Sequence, residues 1–182
     1  MSRKISTARA VVTAVAIAWS LVSCGSTPAA SPSPKGQTLK AFQTGDTTVL
    51  LRTDFQDNAA WSTARETVLA SSPIEDVAPN IQVVDDAAYD GVDFSTLNQP
   101  PEGYAARTIV VFDSISRASA DRSLLLVDWH GELDETTDQF KPRWLRLLPD
   151  QVDEVTSNLN ISNMDFDDYA RAAGEDGVFR GF

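Results

Sequence analysis

Two stretches of this chain run almost without polar interruption: Arg107–Asp113, RTIVVFD, and Ser123–Trp129, SLLLVDW. A strand covered on one face alternates apolar and polar residues, whereas continuous runs suit strands buried on both faces. These two runs are expected as the central strands of a sheet, and the rest of the domain has to be built around them.

The flanking segments supply the other elements. TTVLLRTDF (47–55) reads as a strand of apolar and β-branched residues. In the following DNAAWSTARETVLASS, Asp57 suits a helix N-cap, and Trp61, Ala64, Val68 and Leu69 share one helical face. NIQVVDD (80–86) reads as a second strand, and strand–helix–strand implies a crossover and a parallel pair. AYDGVDFSTLNQPPEGY (88–104) is expected as loop, with one helical turn at DFSTL. HGELDETTDQFKP (130–142) is polar and reads as an exposed loop before a further strand, RWLRLL. In PDQVDEVTSNLN (149–160), Val152, Val155 and Leu159 form a helix face behind a Pro149–Asp150 start. DFDDYARAAG (165–174) predicts a last helix with Asp165 as N-cap. Its inner side would be Phe166, Tyr169, Ala170 and Ala173, and Gly174 would stop it. The expected fold is α/β or α+β: a single layered domain of about five strands and three helices with a mixed sheet.

Residues 1–23 are expected as a lipoprotein signal peptide. Arg3, Lys4 and Arg9 precede the uncharged apolar stretch Ala10–Val22, which suits a signal-peptide core and is short for a membrane span of about 20 residues. The stretch ends in LVSCGS, whose Cys24 is the only cysteine of the 182 residues. That hexapeptide resembles a bacterial lipoprotein lipobox. The resemblance implies cleavage before Cys24 and a thioether-linked diacylglyceryl group, a reaction that needs a nucleophilic thiolate. Two acyl chains anchor stably where one does not. The expected location is the extracytoplasmic face of the cell membrane, with membrane lipid as a partner through Cys24. An uncleaved signal anchor, or a chance cysteine in a secretory signal, is the alternative.

Residues 24–45 are rich in Ser, Pro, Gly and Thr and read as a tether with a mean reach of roughly 25 Å. Residues 46–182 then form an acidic globular domain. Five of the 15 basic residues and none of the 26 acidic ones precede Asp46, which leaves the domain with ten against 26, a net charge of −16. Such a field repels nucleic acid and anionic lipid and favours cations, an envelope protein with a basic surface, or neutral molecules. Simple solubility accounts for the same charge.

The ending SNLNISNMDFDDYARAAGEDGVFRGF (157–182) resembles that of a domain of unknown function common in actinobacterial proteins. VLLRTDFQDNAAW (49–61) and VVDDAAYDG (83–91) resemble the same family. That family brings no activity with it, so the resemblance implies no catalytic residue.

Candidate sites follow from residue type. Asp85, Asp86, Asp113 and Asp128 all stand at expected strand ends; if those strands are parallel neighbours, their carboxylates meet at one sheet edge, where open α/β sheets bind ligands. Gathered there, they could hold a divalent cation or serve as general acid and base. Equally, Asp ends strands because it favours turns. Asp128, His130 and Glu132 would alternate onto one face if the strand ran through them, a second possible metal site; Gly131 argues for a strand end instead. His130 is the only histidine, and no Gly-rich phosphate loop, CxxC or HExxH occurs. No cofactor is implied beyond that possible cation. In the tail, Val178, Phe179 and Phe182 are expected to fold onto the core with Arg180 pairing a carboxylate; a partner-binding chain end is the alternative. Asn158, Asn160 and Asn163 suit caps and turns, and Asn160, Asn163 and Arg180 are the candidates for a polar recognition surface. The sequence thus supports a membrane-anchored, non-catalytic binding module, with a cation-binding or metal-dependent hydrolase domain as the alternative.

Overall fold

The computed structural model describes residues 47–72 and 76–182. The expected signal peptide, Cys24 and the tether lie outside the described residues. Among the described residues, no helix is long and apolar enough to cross a membrane.

The sheet has six strands: β1 (Thr48–Arg52), β2 (Ile81–Val84), β3 (Thr108–Phe112), β4 (Leu124–Asp134), β5 (Gln139–Leu147) and β6 (Val178–Phe179). Their spatial order is β2-β1-β3-β4-β5-β6. β1 pairs in parallel with both β2 and β3, as the crossover reading requires. β4 is antiparallel to β3 and to β5, and β6 joins β5 in parallel. Helices α1 (Asn58–Ala70), α3 (Val152–Asn160) and α4 (Phe166–Ala172) match the three expected; α2 (Ser114–Ala118) is a further short one. The fold is therefore a mixed α/β domain.

The apolar runs are continuous because both faces of the sheet are covered. Leu50, Val110, Phe112, Leu124 and Leu126 point to one side, where α1, α3 and α4 bring Trp61, Ala64, Val68, Val152, Val155, Leu159, Phe166 and Tyr169. The alternate residues Val49, Leu51, Ile109, Val111, Leu125 and Val127 point to the other side. No long helix covers that side. The β2–β3 connection does, through Tyr89, Val92, Phe94, Tyr104 and Ala106. Two short 3₁₀ turns, Ala87–Tyr89 and Phe94–Thr96, lay these side chains on the sheet; the second falls where DFSTL predicts a turn. Burying each such large apolar side chain contributes about 1.5–3 kcal/mol.

Local chemistry sets the element ends. Asp57 caps α1 by accepting from the Ala60 amide at 3.0 Å, and the Asp165 amide donates to the Asp168 side chain at the start of α4. Two expected inner residues turn outward, Leu69 at 42 % exposure and Ala170. Each sits at the edge of its helix's apolar stripe, next to the buried Val68 or Tyr169. The expected loop 130–142 is instead a hairpin: β4 continues to Asp134, Thr136 closes the turn on the Asp134 carboxylate, and β5 begins at Gln139. Its residues are polar because this part of the ladder projects past β3, whose pairing ends at Thr108–Asp128. The tail folds back through two of its three expected residues. Val178 and Phe179 are buried in β6, and Phe179 packs edge-on against Tyr169 at 5.3 Å, whereas Phe182 flanks these rings and stays 75 % exposed at the chain's last position.

Replacing Phe179 with Ala is expected to lower unfolding free energy by about 3–5 kcal/mol, the usual cost of emptying a buried Phe site. Phe182→Ala, at 75 % exposure, should cost less than about 1 kcal/mol. Urea unfolding of the two variants checks the ordering.

Candidate functional site

The strand ends carry the first set of candidate groups. Because β1, β2 and β3 are parallel, Asp54, Asp85, Asp86 and Asp113 follow their C-terminal ends at one sheet edge, as expected for Asp85, Asp86 and Asp113. Asp128 does not join them. β4 runs antiparallel, and Asp128 pairs with Thr108 at the opposite edge.

At the first edge, each of Asp54, Asp85 and Asp113 is held by an arginine. The Arg52 side chain, 5 % exposed, donates to Asp85 at 3.4 Å, to the Asp54 carbonyl at 2.9 Å and to Asn58 at 2.7 Å. Asp85 also accepts from the Trp61 indole at 2.9 Å. Arg117 Nε donates to Asp54 at 2.9 Å. Arg146 reaches from β5 across the start of β4 to grip Asp113 with both NH groups, and the Ser116 amide caps onto the same carboxylate at 2.9 Å. Burial pushes the Asp113 carboxyl up, but the Arg146 hydrogen bond, the Ser116 amide and the Arg146 charge together hold it below the usual carboxylate range. Asp86 caps the first 3₁₀ turn by accepting from the Ala88 amide at 3.0 Å.

At the opposite edge, Asp128 is completely buried and bound two-pronged by Arg107, at 2.9 and 2.8 Å. The third donor of Arg107 reaches the Leu159 carbonyl at 2.6 Å, at the negative end of α3. The Asp128 hydrogen bond raises the Arg107 pKa further. The expected alternation of Asp128, His130 and Glu132 is broken by a register shift between Asp128 and Glu132. Gly131 lies in that irregularity, where a Cβ would collide with the Lys141 carbonyl. His130 turns outward and lies against Phe140, ring centroids 5.3 Å apart, while Glu132 stands across the hairpin from Lys141. Among the described residues, no group of three or more His, Cys, Asp or Glu is placed to hold a metal ion.

The polar recognition candidates are separated as well. Asn160 donates to Thr48 Oγ1 at 3.1 Å and accepts from Thr108 at 3.3 Å, tying α3 to the starts of β1 and β3. Asn163 donates to Asn158 at 2.8 Å, closing a turn. Arg180 lies at the other edge, forked to Asp176 and bonded to Asp121.

A site that sequence reasoning missed lies between the 98–106 segment and the β4–β5 hairpin. A cavity of about 390 Å³ there is lined by Asn98, Gln99, Tyr104, Trp129, His130 and Phe140, among others. A second of about 560 Å³ shares Asn98, Gln99, Gln139 and Phe140 and extends to Trp144. Phe140 and Trp144 are about half exposed, and the buried Trp129 indole N–H has no hydrogen-bond partner. The only sequence signal was the aromatic content of an otherwise polar loop, His130 to Trp144.

A family model described as a domain of unknown function, DUF6924, matches residues 47–182. The chain belongs to this family. No curated protein and no solved structure matches it. The DUF6924 domain thus coincides with the described fold, from the first residue before β1 to the chain end.

In this DUF6924 domain, Asp113→Asn should lower stability by about 2–3 kcal/mol at neutral pH, because Arg146 is left half-buried without its counter-charge. The folded-state pKa of Asp113 lies below its unfolded value, so its contribution is complete above about pH 4 and is lost as pH falls through the folded pKa. The gap between wild type and variant should therefore narrow below about pH 4, and chemical denaturation across pH checks it.

Proposed function

We infer that this chain is a membrane-anchored binding module of the extracytoplasmic face. Cys24 carries the lipid, residues 24–45 act as the tether, and the DUF6924 domain binds through the cleft between the 98–106 segment and the β4–β5 hairpin. The observation that carries this reading is a division of labour between charged and aromatic groups. Of the strand-end carboxylates that could bind a cation, Asp85, Asp54, Asp113 and Asp128 are taken up by Arg52, Arg117, Arg146 and Arg107, and Asp86 caps a 3₁₀ turn. The cleft instead leaves Phe140 and Trp144 half exposed.

Two further features support it. Eight of the ten basic side chains after position 46 are engaged in ion pairs, so the excess negative charge faces outward and leaves lipid attachment as the membrane contact. The chain also enters β1 at the sheet edge where Thr48 meets Thr108, and the Val49 amide donates to the cleft residue Tyr104 at 3.2 Å.

The test places a photo-crosslinking residue at position 140 in intact cells, with a second probe at the exposed Leu69 on the helical face. The account predicts membrane fractionation and a discrete adduct from position 140 only, with both lost in Cys24→Ala. Retention of the Cys24→Ala form in the membrane fraction would refute the anchor. Equal labelling from positions 69 and 140 would refute the cleft as the binding face.

A further inference from the structure

We propose that the cleft is a saccharide site for a neutral oligosaccharide lying across the β4–β5 hairpin. This rests on the cleft being the binding face and adds the class of its ligand. In a domain of net charge −16, the 390 Å³ cavity has one carboxylate, Asp138, among eleven lining residues, and no Lys or Arg, while the adjoining 560 Å³ cavity sets Glu132 and Asp134 against Lys141 and Arg143, so the two together are nearly neutral. A cationic ligand would find many better surfaces on this domain, and an anionic one would be repelled by the whole of it. A neutral ligand is the class for which this region is the most favourable part of the molecule.

The lining groups narrow the class. Phe140, whose ring lies against His130, and Trp144 are each about half exposed and offer aromatic surface on which the C–H face of a pyranose can stack. Asn98, Gln99 and Gln139 line both cavities or their junction and make no side-chain hydrogen bond among the described residues. Each such amide has two donors and an acceptor free for ring hydroxyls. A purely apolar ligand would leave these amides unpaired. A peptide docking by strand addition would use a sheet edge, whereas the aromatic rings lie on the hairpin's face. The two cavities share four residues, so the ligand that fits both is a linear one of several rings.

The test titrates the full chain in detergent with three neutral probes: the β-1,4 tetramer of N-acetylglucosamine, cellotetraose and maltotetraose. Tryptophan fluorescence is the readout, because Trp129 and Trp144 both line the cleft. At least one probe should give a saturable change with a Kd below about 1 mM, tighter by at least about fivefold than the matching disaccharide. Phe140→Ala and Gln139→Ala should each weaken it by about tenfold or more at unchanged melting temperature, and Leu69→Ala should leave it unaltered. No saturable change with any probe up to about 10 mM would overturn the saccharide assignment. So would a change that survives Phe140→Ala, or one produced equally by a tetralysine peptide. A failure confined to this titration, with position-140 crosslinking intact, rejects the ligand class and not the binding face.

Discussion

A carboxylate with no solvent exposure sits in the strand that joins the two halves of the sheet, and the Arg107 guanidinium is what allows it. β4 is the only strand that runs against the other five, pairing with β3 on one side and β5 on the other. Its Asp128 faces a desolvation cost of several kcal/mol unless a matched cation and its remaining lone pairs are satisfied. Arg107 supplies two hydrogen bonds and the His130 amide a third, at 3.0 Å. The same guanidinium then closes the C-terminal end of α3. One side chain thereby fixes the entry of β3, the register of β4 and the position of a core helix.

The opposite edge repeats the device. Arg146 spans β4 to hold Asp113, Arg117 holds Asp54, and Arg52 holds Asp85 beneath Trp61. These contacts convert a row of strand-end acids, the usual ligand position of an open α/β sheet, into a structural lattice. The face left open is elsewhere. On the side covered by the β2–β3 connection, the covering stops at Tyr104 and Ala106, and the β4–β5 hairpin extends past it. The cleft is the step between the two.

Much of the fold could be read from local pattern. The β1–α1–β2 unit was legible because Asp57 caps a helix whose apolar spacing is regular, and β3 and β4 because double-sided burial leaves an unbroken apolar run. The direction of β4 was the point most easily misread. The β3–β4 connection, residues 113–123, is shorter than the dozen or so residues that a parallel crossover needs, and that length was the available signal. α2 was hidden because five residues show no period; the Asp113 cap makes it. The hairpin was hidden because its strands are polar where they leave the sheet. The arginines were invisible as a set, since their partners lie 21 to 63 residues away. The cleft was invisible for the same reason, being assembled from two segments with no shared periodicity.

The arginine-held carboxylates at the strand ends are structural. The most direct test is a double-mutant cycle on Arg107→Gln and Asp128→Asn, with unfolding free energies measured for all four proteins at pH 7. The expected coupling energy is about 2 kcal/mol or more, with the double variant destabilised by that much less than the sum of the two single variants. A coupling below about 0.5 kcal/mol, as between independent sites, would contradict it.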